Sequence, residues 1–226
     1  MCIGQLLRFK HIWETIVKTL DARNETEIRR TQAKTTLGSA YGYLNDIIKM
    51  ELMEREVVEV RNLTYGPEAS ETIQAVIRHI HTLNFYIQDY EKAMEKWEYI
   101  LRVRRAQLEP HHYLISSTLY YIAQTHMFQG RHDEAAPRLE EALEIQHIAL
   151  EAPRIQNIEH DPEHPTTVDI MEILAYCYGV TGGPSGFVVL DQRRRILDLR
   201  KKWRRHSAPD TLYAMYYLAM SFMQQG

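Results

Sequence analysis

Histidine is the residue type in this chain that first suggests metal chemistry. The chain contains 11 histidines, among them the adjacent His111-His112 and the segment His160–His164, which lies beside acidic residues. Zinc sites commonly use patterns such as H-E-x-x-H or paired C-x-x-C, and neither occurs here. His79 and His81 are two residues apart, so on a helix they point in different directions. We therefore predict no metal site and no cofactor.

Residues for covalent or phosphate chemistry show no recognisable arrangement either. The sequence lacks a G-x-S-x-G nucleophile motif and a glycine-rich phosphate loop that ends in lysine. Its glycine cluster, at positions 182–186, has no lysine and follows a helical pattern, so we interpret it as an enlarged turn. Carboxylates such as Glu140, Glu141 and Glu144 have the spacing of ion pairs on a helix surface. We predict no catalytic residue and a chain that is not an enzyme.

The densest group of basic residues lies at positions 193–195 and 200–205. Short basic runs can bind nucleic acid or act as nuclear import signals. Ile196, Leu197 and Leu199 interleave with the basic residues at helical spacing, so we interpret the run as the solvated side of a helix. The net charge of −3 also argues against nucleic acid as a partner.

Composition places the chain among folded proteins of a reducing compartment. Of its 226 residues, 45% are apolar and 25% are charged. Cys2 and Cys177 are the only cysteines, too few for a disulfide framework. The first twenty residues mix charged with apolar side chains, unlike a secretory signal, and no apolar run is long enough to span a bilayer. We expect a cytoplasmic protein with no membrane partner.

The elements that must position any functional residue recur along the chain. Similar five-residue segments begin at Leu37, Ile80, Ile122, Leu174 and Leu218. The intervals between these leading residues are 43, 42, 52 and 44 positions. A repeat of this length is typical of stacked structural units, which bind partners more often than they catalyse reactions.

Each repeat has the apolar spacing of two helices joined by a short turn. In the third repeat, Gly130 separates a first helix around Ile122 from a second helix that begins near Asp133. Pro137 fits this interpretation if Asp133 caps the second helix, because proline is tolerated in a first turn. Thirteen positions after the leading residue, the second and third repeats carry Ala93 and Ala135, whose small side chains permit close helix packing.

These residues resemble the tetratricopeptide repeat. The third repeat carries Ile122-Ala123, Gly130 and Glu134-Ala135. The joint that leads into the next repeat, His164–Thr167, has the sequence H-P-T-T. The period and the joint are similar to the longer variant found in kinesin light chains. In the second repeat, Gln88 replaces the glycine. The resemblance implies an all-α fold: a right-handed superhelical solenoid of antiparallel helix pairs, with about four complete repeats and partial ones at the ends.

We predict a single helical-repeat domain over residues 1–226. It comprises an N-terminal helix at 3–20, repeats at about 27–66, 70–110, 112–150 and 164–206, a long loop at 151–163, and a partial repeat at 209–226. The last segment is apolar, although stacked repeats need polar end caps. We therefore expect a fragment of a longer array or an end covered by another subunit.

In the family that the chain resembles, the first helices of the repeats line a concave groove that binds extended peptides. Carrying over the groove positions predicts a binding surface rich in aromatic residues, which dominate binding hot spots. Arg78 and Glu172 would orient the ligand by their charges. The predicted groove residues are Arg78, Thr82, Phe85, Tyr86, Tyr120, Gln124, Phe128, Glu172, Tyr176 and Tyr216.

The predicted function is a non-catalytic scaffold or adaptor that binds a protein partner, held as a peptide or helix in the groove. The resemblance implies an adaptor such as the cargo-reading region of a kinesin light chain, or the sensor end of a larger signalling ATPase of the STAND type. An alternative from another class is a self-assembling or regulatory subunit, forming a homo-oligomer or a larger complex through its uncapped ends.

Overall fold

The computed structural model describes residues 3–23, 25–151, 165–182, 186–203, 212 and 214–220. Over these ranges the regular structure is helical, without strands, as the sequence predicts. The helices are α1 (Ile3–Ala22), α2 (Glu27–Tyr43), α3 (Ile47–Tyr65), α4 (Ser70–Thr82), which continues as a π-helical turn (Leu83–Ile87), α5 (Tyr90–Gln107), α6 (Tyr113–Phe128), α7 (His132–Glu151), α8 (Pro165–Thr181) and α9 (Gly186–Trp203). Residues 214–220 are also helical.

The chain divides into two compact units, Met1–Trp97 and Glu98–Gly226, and the division falls within α5. In both units a helix packs mainly on the helices that precede and follow it in the chain: α1 to α4 in the first unit, α6 to α9 in the second. The predicted loop at 151–163 lies outside the described residues except for Glu151, as do positions 183–185 of the glycine cluster.

In the first unit, α1, α2 and α3 share a small core. Leu37, Tyr41 and Met50 are buried together, and Trp13 and Val17 of α1 pack against them. The hydroxyl of Tyr41 donates to Glu14 Oε1 at 2.8 Å, so the phenol that closes this core is also satisfied as a donor. Apolar burial and a paired polar tip together fix α1 on α2.

In the second unit, the predicted inner positions of α6 and α7 are buried. Ile122, Ala135 and Leu139 have no exposed surface, and Ser116 donates to the carbonyl of Ala142 at 3.0 Å. The small Ala135 lets the two helices approach, as the repeat pattern predicts, and Ala93 on α5 is equally buried. Further along the unit, Ala214, Met215 and Leu218 pack on an apolar cluster formed by α8 and α9.

Left-handed backbone marks the turn inside each helix pair. Asn45, Gln88, Gly130 and Gly182 have φ angles of 58°, 61°, 73° and 69°. Glycine adopts this conformation without steric cost, and asparagine adopts it more readily than most residues. Gln88 occupies the position where the repeat pattern has glycine, so it holds this geometry against its intrinsic preference.

The start of α7 corrects one prediction. The helix begins at His132, so Asp133 lies within its first turn and does not cap it. Pro137 therefore lies inside the helix, where its missing N–H cannot donate to the carbonyl of Asp133. The repeat pattern misplaced this boundary because Asp133 is a common capping type but here only adds negative charge to the first turn.

Membrane insertion has no candidate among the helices described here. None of them combines the length and the apolar character that a bilayer span requires.

Candidate functional site

A cavity of about 730 Å³ opens in the second unit. Its walls come from α6, α7, α8, α9 and the helical residues 214–220, and four of its ten lining residues are tyrosine or phenylalanine. The lining residues are Tyr120, Met127, Phe128, His132, Asp169, Glu172, Ile173, Tyr176, Arg200 and Tyr217. A volume in this range is that of a site for a small molecule or for part of a peptide.

Helical spacing explains why α8 supplies so much of this wall. Asp169, Glu172, Ile173 and Tyr176 follow one another at intervals of three, one and three positions. On an α-helix these intervals place the four side chains on one face. An adjacent face of α8, which includes Val168 and Ala175, is buried in the apolar cluster with α9. One face of α8 therefore builds the core while the other faces the cavity.

Tyr120 contributes a partly buried phenol to the cavity. Gln124 Nε2, one turn further along α6, donates to the Tyr120 hydroxyl oxygen at 2.8 Å. Burial, followed by the charge of Asp169, raises the pKa of Tyr120 to about 12. The phenol therefore stays protonated near neutral pH and can act as a hydrogen-bond donor in the cavity.

Tyr176 is held between two other rings. Its ring meets His132 edge-on, with centroids 5.5 Å apart, and meets Tyr217 in a similar arrangement at 6.0 Å. Edge-to-face contacts of this kind add to the stabilisation gained from burial. Tyr176 is thus oriented before any ligand arrives, which lowers the entropy lost when a ligand binds.

Arg200 supplies the cation of the cavity and pairs with both of its carboxylates. Its Nη2 atom lies 2.8 Å from Glu172 Oε2 and also donates to Asp169 Oδ1. Burial acts to lower the pKa of Arg200, but hydrogen bonds to Glu172 and Asp169 outweigh it and leave the pKa above its ordinary value. The guanidinium stays charged while only 6% of the residue is exposed.

A sulfur contact lies behind the wall at Met127. The Sγ atom of Cys177 is 3.2 Å from Met127 Sδ, and His132 Nδ1 is 3.3 Å from the same sulfur. Cys177 is fully buried, and burial raises the pKa of its thiol to about 11. In the part of the chain described here, no three His, Cys, Asp or Glu side chains come together as a group able to hold a metal ion.

The structure brings four of the predicted groove residues together in this cavity: Tyr120, Phe128, Glu172 and Tyr176. Gln124 adjoins them through its hydrogen bond to Tyr120. Tyr216 is exposed and lies beside Tyr217, with ring centroids 5.5 Å apart. It lines a smaller neighbouring cavity of about 160 Å³ instead.

The remaining predicted groove residues belong to the first unit. Arg78, Phe85 and Tyr86 are exposed, and Arg78 lines a cavity of about 100 Å³ with Glu54. Thr82 differs, because only 3% of it is exposed and it hydrogen-bonds to Glu54. Its inclusion in the groove is therefore corrected: Thr82 is buried against Glu54 of α3, so it offers almost no surface to a partner.

The basic run corrects a second interpretation. Arg194 and Lys202 are exposed, but Arg193 and Arg200 are buried, seven positions apart on the inner face of α9. Arg193 donates to the carbonyl oxygen of Tyr217 at 2.8 Å. Two of the arginines are therefore structural partners of neighbouring helices. Arg204 and Arg205 lie outside the described residues.

Sequence reasoning missed two charged residues of the cavity, Asp169 and Arg200. Asp169 precedes Glu172 by three positions, a helical spacing that could have placed both carboxylates on one face. Arg200 was hidden in the basic run, where nothing in the sequence distinguishes an inward arginine from a solvated one. Its distance from Asp169 along the chain also gave no reason to pair them.

Comparison with known proteins agrees with this architecture. Residues 71–146 match the family model described as tetratricopeptide repeat. No curated protein matches the chain. Among solved structures, the nearly identical TPR-like repeats of a kinesin light chain protein from Podosopora anserina are 17% identical, with a TM-score of 0.67 and 87% of each chain covered.

Two further structures share the fold. BtubC (BKLC) from P. vanneervenii is 13% identical with a TM-score of 0.69, over 91% of this chain and 79% of that one. Bacillus thuringiensis PlcR, solved in complex with the peptide PapR7 and DNA, is 13% identical with a TM-score of 0.55, over 97% of this chain and 70% of that one. The chain therefore matches the tetratricopeptide repeat in sequence over residues 71–146, and its described helices share the fold of solved TPR-like repeats.

Proposed function

We propose that the chain is a non-catalytic protein-interaction module that holds a peptide or helix of its partner in the aromatic cavity of the second unit. The observation that carries the proposal is the set of rings around one opening, Tyr120, Phe128, Tyr176 and Tyr217. Aromatic side chains offer large contact areas with few rotatable bonds, and they concentrate binding energy in well-packed pockets.

The packing of these rings supports binding by preorganisation. Tyr176 is fixed by its contacts with His132 and Tyr217, and Tyr120 receives a hydrogen bond from Gln124. Ordering side chains at an interface costs about 0.5–1.5 kcal/mol each, so rings that are already ordered retain more of the contact energy as affinity. Phe128, which is partly exposed at the cavity, can contact a ligand without rearrangement.

Glu172 would act on a ligand as one member of an ion-paired group and not as an isolated charge, because its carboxylate lies 2.8 Å from Arg200 Nη2. Arg78 belongs to the other unit, so we assign it no role in this cavity.

The test is quantitative capture of partners by the purified chain from extracts of its source cells, read by mass spectrometry. The chain is compared with Tyr176→Ala and Phe128→Ala. Tyr43→Ala is the matched control, since Tyr43 is an exposed aromatic residue in the first unit. We expect the two cavity variants to lose a partner that the control retains, at unchanged helicity by circular dichroism. Equal capture by folded cavity variants would overturn the proposal.

Self-assembly is the second candidate, and α1 favours it. No residue of α1 is buried, and Ile3, Leu7 and Ile12 leave much of their apolar surface exposed. Exposed apolar surface of this kind commonly marks an interface. Sedimentation of the chain and of Leu7→Asp checks this candidate: a larger species that Leu7→Asp dissociates would support it, whereas a monomer at all concentrations would exclude it.

We propose a cytoplasmic location for this module. The buried free thiol of Cys177 suits a reducing compartment, where no disulfide is needed to hold the helices.

A further inference from the structure

The aromatic cavity holds more carboxylates than cationic side chains to pair with them. Asp169 and Glu172 both face the single guanidinium of Arg200. Among the described lining residues, the carboxylates therefore carry one negative charge more than the arginine neutralises. The excess is reachable from the cavity, because the side chains of Asp169 and Glu172 remain 42% and 22% exposed while that of Arg200 is 7% exposed.

The rings around this excess charge favour the same kind of ligand. The faces of tyrosine and phenylalanine carry partial negative charge and attract ammonium and guanidinium groups within about 6 Å of the ring centre. Tyr120 lies close enough to Asp169 and Glu172 for both carboxylates to raise its pKa, so ring and carboxylates belong to one region. An anionic ligand would meet two carboxylates, whereas a neutral apolar ligand would leave their excess charge unpaired.

We propose that the cavity recognises a basic side chain, lysine or arginine, presented by the partner's peptide. This inference rests on the proposed function, since it names the chemistry of the residue that the partner inserts. The cation lies against the rings of Tyr120 and Tyr176 and pairs with the carboxylates that Arg200 leaves incompletely neutralised. The alkyl part of the same side chain packs on Phe128 and Ile173, which suits a long basic residue more than a small cation.

The test uses blocked tripeptides that differ in the central residue: Ac-Ala-Lys-Ala-NH2, its arginine form, its norleucine form and its glutamate form. Binding to the full chain is followed by NMR of ¹³C-methyl methionine. Met127 lines the cavity, and Met50, buried in the first unit, serves as the internal control. Met127→Leu assigns the signal. We expect the lysine and arginine peptides to shift the Met127 signal saturably while the norleucine and glutamate peptides do not.

A charge variant adds a second measurement. Glu172→Gln keeps an oxygen that can accept from Arg200 but removes the excess negative charge, so we expect it to weaken lysine-peptide binding about tenfold. Asp191→Asn, an exposed acid on α9, is the matched control and leaves binding unchanged. The comparison of lysine with norleucine on the unmodified chain remains decisive even if Glu172→Gln fails to fold.

The outcomes separate this inference from the proposed function. Norleucine binding as strongly as lysine, or no shift of Met127 with any basic peptide, overturns the cation inference. Partner capture that still depends on Tyr176 would then leave the aromatic site standing. Loss of both results would remove both proposals.

Discussion

The guanidinium of Arg193 on α9 occupies the space that a side chain at Gly179 of α8 would fill. A β-carbon on Gly179 would lie 2.8 Å from Arg193 Nη2, closer than real side chains approach. The same guanidinium donates to the carbonyl oxygens of Tyr217 and Ala175, and it lies 5.7 Å from the ring centre of Tyr217. The absence of a side chain at Gly179 therefore lets one buried arginine connect α8, α9 and the following helix.

Gly179→Ala is expected to displace Arg193 and lower the unfolding free energy of the second unit by about 1–3 kcal/mol, as overpacking does. Chemical denaturation followed by circular dichroism measures the change. Gly4→Ala is the control: nothing lies within 4 Å of its added carbon, so we expect no loss of stability. In an Arg193→Ala background the cost of Gly179→Ala should vanish. A cost that persists there would show that the arginine is not what the methyl group meets.

The left-handed residue at Gln88 gives a second prediction. Gln88→Gly removes the steric cost of a positive φ, and we expect a gain of up to about 1 kcal/mol in the stability of the first unit. Hydrogen exchange of the α3 and α4 amides reports this unit alone.

Gly130→Ala is the converse variant in the second unit, where φ is 73°, and it should lose about 1 kcal/mol. The explanation fails if Gln88→Gly destabilises a chain whose helicity is intact.

The buried carboxyl group of Glu54 should make the stability of the first unit depend on pH. Its burial raises the pKa of the carboxyl to about 7, against the opposing effects of Thr82 and Arg78, whereas an ordinary glutamate lies near 4.5. Because the folded-state pKa is the higher one, the stabilisation from this group is complete below the unfolded-state pKa and is lost as the pH rises toward 7.

Glu54→Gln is expected to remove this loss. The measurement is amide exchange in α3 and α4 between pH 5 and pH 8, compared with Glu59→Gln, an exposed acid on the same helix. Other groups titrate in this range too, so the relevant quantity is the difference between the Glu54→Gln and unmodified chains. Parallel pH profiles for the two would refute the role of Glu54.

Cys177 should resist alkylation in the folded chain. It has no exposed surface, and burial raises its pKa to about 11, so little reactive thiolate forms at pH 8. In a Cys2→Ser background, intact mass after iodoacetamide treatment should show no adduct until denaturant is added. Rapid labelling without denaturant would mean that α8 opens readily from the helices that pack on it.

Much of the fold could be predicted from the sequence because burial follows the repeat. The leading residues Leu37, Ile80, Ile122 and Leu174 are all buried, and glycine or a substitute marks each turn. Leu143 shows the limit: it has the inner spacing of α7 but is only half-buried. Spacing gives the face of a helix, whereas the depth of burial depends on what the neighbouring helix presents.

Three of the cavity's aromatic residues and one of its charged residues, Glu172, were predictable from the sequence, whereas the ion pairs of Arg200 were not. Tyr120, Phe128 and Tyr176 follow from groove positions on successive first helices. Arg200 and Asp169 meet across 31 positions of chain, and such a pair depends on how two helices are placed and not on any local motif. Thr82 failed for a related reason, since its partner Glu54 lies on another helix.

Site-specific photocrosslinking shows directly whether the partner lies in the aromatic cavity. A photoreactive phenylalanine analogue is placed at Phe128, in the cavity wall, and in a second protein at Tyr43, in the first unit. If the aromatic cavity holds the partner, position 128 crosslinks to a peptide segment of the partner and position 43 does not. A partner that crosslinks at position 43 and not at position 128 would contradict the proposal.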